Sequence, residues 1–422
     1  MRSPLLALAL TLVSACGPAA PATCKISLAR PTGRRFDDGT VGVQGQSRDV
    51  VFTFQVATCA TANDLSFRVQ VTDPANQPVE ASVAQATVKS GDARATVRFR
   101  PSVEGLHHVT LGVEPNVVIL QTEDLAARDL RQREGVPLPL PRGTVCSAYA
   151  VLPSDGGTLC AAPGGETTLH RADRPPLRLS EEEANLSVAG DVAWLHDRSG
   201  LWSLTFPADG GVEKDSVGLA SQRDGGLLGL SSGDVVNLKQ TSVARFRAGV
   251  GPVGEVLLGQ RPFAAAVSSD EATLLTASPQ QLCVMDVPPT FRPPVCKSIS
   301  TRVVGQSPGG LYLLGALGTV PQLSRLTARQ ALDAGPTGPV VALAVGWSAA
   351  PLPGGTAQVP VLSGPLAADD SGPRGVLVPR LEGALLALEV HAAPVGTTVL
   401  ADEHFVYRFS PDAGAVAVPR GP

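Results

Sequence analysis

Between residues 48 and 114, apolar and polar side chains alternate with a period of two. Phe52, Phe54 and Val56 interleave with Thr53 and Gln55, and Leu65, Phe67, Val69 and Val71 with Ser66, Arg68 and Gln70. Ala95, Val97 and Phe99 alternate with Thr96 and Arg98, and Val109, Leu111 and Val113 with Thr110 and Gly112. Successive strand side chains point to opposite faces, so each segment gains one apolar and one polar face, as in an antiparallel sandwich. The alternation stops at residues 123–134 (EDLAARDLRQRE), where Leu125 and Leu130 on a polar segment predict a helix. Residues 135–141 (GVPLPLP) predict an extended spacer. Beyond them a polar turn followed by an apolar strand recurs, at 153–159 (PSDGGTL), 223–228 (RDGGLL), 268–275 (SSDEATLL), 307–312 (SPGGLY) and 409–414 (FSPDAG). The self-similar spacing, roughly 33–45 residues, is the length of a propeller blade. The predicted architecture is all-β: a sandwich over 24–116, a charged helical and proline-rich linker over 117–143, and a repeat region over 144–422.

Two stretches carry family resemblances. Residues 101–111 (PSVEGLHHVTL) resemble the penultimate strand of bacterial Ig-like domains, with His107 in the place often held by the corner tyrosine; the resemblance implies an Ig-like sandwich and a structural His107. The recurring Ser-Pro/Asp-Gly turns resemble those of bacterial propellers of the TolB and YVTN kind. Over roughly 280 residues that resemblance implies a β-propeller of about six or seven blades. The strand at 404–409 (HFVYRF) is expected to complete the last blade or pair with the first, locking the ring.

Composition agrees. Gly 44 and Pro 37 leave little room for long helices. A formal net charge of −4 and no long basic run argue against nucleic acid as a partner, because phosphate binding needs a concentrated Lys/Arg footprint.

The N-terminus carries the sharpest functional signal. Arg2 precedes an apolar run, residues 5–13 (LLALALTLV), too short to span a bilayer but suited to a signal-peptide core. Val13-Ser14-Ala15-Cys16 resembles the lipobox of bacterial lipoproteins. The resemblance implies cleavage after a signal peptide of residues 1–15, lipidation of Cys16, a tether over 16–23 and anchoring to the envelope membrane. Gly17, where inner-membrane lipoproteins often carry aspartate, points to the outer membrane. Six cysteines remain, an even number suited to an oxidising compartment. Paired residues of a hairpin lie symmetrically about its turn. The midpoints of Cys24 and Cys59, of Cys146 and Cys160, and of Cys283 and Cys296 all fall at turn sequences, which predicts those three disulfides.

Motifs with chemistry lack their structural context. Residues 249–254 (GVGPVG) match a dinucleotide-binding turn, and 229–233 (GLSSG) a nucleophile elbow. Each needs a helix directly after it, and strands are predicted there instead. His107 and His108 are adjacent on a strand and face opposite sides, and His170, His196, His391 and His404 lie apart, so no metal or cofactor site is predicted. Trp194, Trp202 and Trp347 are expected in core or rim packing. The expected function is therefore a noncatalytic binding or scaffold protein whose propeller face takes an envelope protein or a glycan. The alternatives are a propeller enzyme acting on glycans or lactones, and an assembly factor like the propeller lipoprotein of the outer-membrane barrel-insertion machinery.

Overall fold

The protein was analysed as a computed structural model. It describes residues 41–420 apart from 57–59, 115–117, 153–156, 208, 220–225, 290–291, 308, 318–319, 328–329, 331–339, 343–347, 350–358, 365–374 and 383–384. The expected signal peptide and tether, Cys16, Cys24, Cys59 and Trp347 lie outside the described residues.

The N-terminal region is two sheets packed face to face. Its strands are β1 (Gly42–Val43), β2 (Arg48–Gln55), β3 (Ser66–Thr72), β4 (Pro78–Val79), β5 (Ala81–Lys89), β6 (Asp92–Phe99), β7 (Gly105–Glu114) and β8 (Val118–Asp129). One sheet runs β2-β6-β5 and the other β8-β7-β3-β4, with β1 added parallel to β8. The alternating apolar residues meet between them: Phe52, Phe54, Val97, Phe99, Val109 and Leu111 form one buried core. Full burial of each such side chain contributes roughly 1.5–3 kcal/mol.

The predicted helix is a strand. Residues 118–129 are β8, paired antiparallel with β7 over 118–126. Leu125, Ala126 and Ala127 are all buried, and Asp124 is buried against Arg48, whose Nε and Nη2 donate to its Oδ1 at 2.9 and 2.7 Å. Neighbours on both sides of the strand override the helical propensity of this polar segment.

Among the described residues seven antiparallel sheets follow, over residues 148–180, 185–219, 227–257, 264–298, 302–342, 348–392 and 398–419. Each of the first six is a meander of four consecutive strands, and the first strands of sheets one and two, two and three, and four and five lie side by side, as innermost strands do. This is the arrangement of a seven-bladed β-propeller. The seventh sheet has only three strands of its own. Its fourth is Val136–Pro137, a segment that precedes the first blade and pairs with Gly414–Pro419. The expected spacer thus fastens the start of the repeat region to its end. The sixth sheet is not confined to the ring: its last strand, Leu385–Ala392, pairs parallel with β8, Glu389 opposite Arg128 and Val390 opposite Asp129. One sheet therefore runs from blade six into the sandwich.

Candidate functional site

A cavity of about 710 Å³ opens where the innermost strands end. Blades one, two, five, six and seven, on different sides of the ring, all contribute to it, which places it at the mouth of the central channel. Tyr149, Val188, Ser307, Arg325, Glu403 and Phe405 are among its walls.

The turn between Thr398–Ala401 and Phe405–Ser410 shapes one side. Asp402 Oδ1 accepts the backbone N–H groups of His404 and Phe405, both at 2.7 Å, and its Oδ2 accepts the Tyr407 hydroxyl at 2.8 Å. An aspartate that caps its own turn in this way fixes the backbone. The rings of Tyr407 and Tyr149 lie 4.0 Å apart between centroids, joining blade seven to blade one. Burial, then the Asp402 charge, pushes both phenols well above their ordinary range, so they remain protonated donors.

Blade five supplies the opposite wall. Arg325 Nη2 donates to Ser307 Oγ at 3.1 Å and lies 3.5 Å from Glu403 Oε1. Its guanidinium sits 5.9 Å from the centroid of the Tyr312 ring, whose hydroxyl is pushed up to about 12, by burial first and then by Glu403. The polar turn recognised at residues 307–312 has a specific task here. A Cβ on Gly309 would stand 2.9 Å from Arg325 Nη2, and one on Gly310 2.9 Å from the Leu326 carbonyl and 3.3 Å from Arg325 Nε, so the guanidinium lies directly against this glycine turn.

Two predicted disulfides are present. Cys283 and Cys296 face each other directly across Gln281–Asp286 and Val295–Ser298. Cys160 lies opposite Tyr149, and Cys146 reaches it diagonally from ahead of the strand. The third pair, Cys24 with Cys59, lies outside the described residues. The dinucleotide-like glycines lead into the strand Gly251–Leu257 and the nucleophile-like turn into Val235–Leu238. Trp194 is buried and donates to Gly233 O at 3.2 Å, and Trp202 donates to Asp197 Oδ1 at 3.2 Å. His107 is buried against Phe99, while His108 is exposed beside Glu123.

His391, apart from any other histidine or cysteine in the sequence, sits in a buried ionic cluster. Glu389 Oε2 accepts Arg420 Nε at 3.0 Å and lies 3.3 Å from His391 Nε2, and Arg380 links Glu389 to Glu104 of the sandwich at 3.5 and 2.5 Å. The Glu389–His391 spacing puts both on one strand face and was readable; the arrival of Glu104 and Arg420 was not. Among the described residues no group of three or more His, Cys, Asp or Glu side chains is placed to hold a metal, and no helix is long and apolar enough to cross a membrane.

No protein-family model and no curated protein sequence matches this chain. Similar solved structures include a catalytically inactive virginiamycin B lyase from Staphylococcus aureus with quinupristin, at 12% identity and TM-score 0.44 over 68% of this chain and 99% of that one. A streptogramin B lyase matches at 10% and 0.41 over 67% and 95%, and the WD40 domain of Neurospora crassa Pan2 at 10% and 0.40 over 67% and 90%. Likeness at this level carries no argument about chemistry, and the propeller assignment rests on the sheet order above.

Proposed function

We propose that this chain is a bacterial envelope lipoprotein, anchored through Cys16 to the outer membrane, that binds a partner at the channel mouth without catalysing a reaction. On this reading the sandwich is of the Ig-like kind, the ring is a TolB/YVTN-like propeller, and the partner is an envelope protein or glycan. The Val13-Ser14-Ala15-Cys16 sequence supports the anchor. The carrying observation for binding is the 710 Å³ cavity, walled by rings and by a few polar groups converging from separate blades. The state of those groups favours binding over turnover: Asp402 is engaged by three donors and Arg325 is seated on its turn.

Two experiments test this. A palmitate analogue should label the wild type and not Cys16→Ser, which should accumulate at precursor size; normal processing and release of Cys16→Ser would remove the anchor from the reading. A photoreactive residue replacing Phe405 should crosslink one envelope component in cells. Crosslinks that form only from the outer blade edges would contradict a binding mouth, and hydrolytic turnover abolished by Glu403→Gln would overturn the noncatalytic half.

A further inference from the structure

We infer that the channel mouth recognises a ligand carboxylate through Arg325, and that Glu403 holds the carboxylate's place when no ligand is bound. The inference rests on the mouth being the binding site and names the chemistry it takes. The Arg325 side chain is 8% exposed, yet it lines the cavity. A guanidinium carries five donors in a planar fork, and one this deeply buried ordinarily meets fixed acceptors. Among the described residues Arg325 Nε has no hydrogen-bond partner. Nη2 is shared between Ser307 Oγ at 3.1 Å and Glu403 Oε1 at 3.5 Å, the latter at the outer limit of a hydrogen bond.

The guanidinium lies directly against the turn at Gly309 and Gly310, where an added side chain would crowd it. Glu403 is fitted differently. Its side chain is 35% exposed, and Asp402 fixes the turn backbone beside it, so the carboxylate can swing away without disturbing the fold. A ligand carboxylate arriving in its place would meet the guanidinium fork in the two-point geometry that the 3.5 Å contact lacks. Asp402 and Glu403 both border the site, so a second negative charge on the ligand would be repelled, which favours a carboxylate over a dianionic phosphate. The neighbouring wall of Tyr149, Val188, Val359 and Phe405 is apolar, which favours an apolar group next to the carboxylate. A peptide C-terminus ending in an apolar residue has that chemistry.

The test is calorimetric titration of the full-length protein in detergent with N-acetyl-Ala-Ala-Phe, its C-terminal amide, and glucuronate. The free acid should bind at least tenfold more tightly than the amide. Arg325→Gln should abolish that difference, and its melting profile reports whether it folds. Glu403→Gln, a change at a partly exposed position, should tighten acid binding several-fold because it removes the internal competitor. Weaker acid binding by Glu403→Gln, or no binding of the acid, would overturn the inference. Glucuronate binding in its place, with the same Arg325 dependence, would overturn the peptide assignment. Equal binding of acid and amide, lost on Tyr149→Ala, would overturn the carboxylate inference while leaving the mouth as a binding site.

Discussion

Asp197 and Asp402 do the same work in different blades. Each accepts backbone N–H groups two and three residues ahead and a side-chain donor five ahead, Trp202 Nε1 in one case and Tyr407 Oη in the other. Burial alone would raise the Asp197 pKa, but hydrogen bonds from Ser199, Ser180 and Trp202 outweigh it and hold the carboxyl below its ordinary value. Asp197→Ala should therefore cost about 2–3 kcal/mol in urea unfolding, the scale of lost hydrogen bonds to a charged group. The pH dependence follows from signs. A carboxylate with a depressed folded pKa contributes stability that is complete above about pH 4 and is lost as pH falls through the folded value. His107, His170 and His391 are depressed by burial, so below about pH 6.5 the unfolded chain binds protons that the folded chain does not. Both effects destabilise on acidification, the histidines first. The melting temperature should fall between pH 7 and 5 and more steeply below 4. His107→Phe, which keeps the ring beside Phe99 and removes a group that feels Asp124, Asp73 and His108, should flatten the upper part of that curve. A melting temperature constant from pH 7 to 5 would contradict the assignment.

At the scale of elements, legibility depended on whether a strand shows one face to water. β2, β6 and β7 bury alternate residues, so their period of two is visible in the sequence. β8 has β7 on one edge and β1 and Leu385–Ala392 on the other, and it buries four consecutive residues, Asp124 to Ala127, so no alternation was available to read. Its polar content is explained by a pairing 76 residues away, Asp124 with Arg48, which no local pattern encodes. The same limit hid the channel mouth: Tyr149, Arg325 and Glu403 are each unremarkable in sequence and meet only when the blades form a ring. Cysteine spacing, by contrast, is local to a hairpin, which is why the Cys146–Cys160 and Cys283–Cys296 bridges could be read. Two predictions follow at this scale. Asp124→Ala strips Arg48 of its two-point partner and should cost about 3–5 kcal/mol, whereas the apolar pair Arg48→Met with Asp124→Leu should recover most of that loss in urea unfolding. Replacing Cys283 and Cys296 together by alanine should cost up to about 3 kcal/mol on the chain-entropy model, read against the oxidised wild type with its disulfides intact.

For the whole molecule, the sandwich and the ring share more than a linker. Val41, Val43, Leu125 and Ala127 pack in one buried cluster with Leu377, Leu388 and Val390 of blade six and Val406 of blade seven. The ionic cluster extends that junction, from Glu104 in the sandwich through Arg380 and Glu389 of blade six to Arg420 at the C-terminal end. Arg420 also donates to the carbonyls of Pro379 and Asp402, at 2.5 and 2.7 Å. Deleting residues 404–422 removes two strands of the last blade, the partner of Val136–Pro137, and the cation facing Glu389. A buried carboxylate that loses its cation is strongly destabilising, and the exposed blade edges invite aggregation. The loss should therefore pass beyond the repeats, although the sequence taken alone predicts a sandwich that folds on unchanged. Calorimetry of the wild type should show one cooperative transition for both regions. The truncated chain should lose trypsin resistance in the blades and melt at lower temperature in the sandwich. If its blades stay resistant, the last blade does not fasten the ring. If only the sandwich keeps its wild-type melting temperature, the junction through Glu104, Arg380 and Glu389 does not couple the two regions.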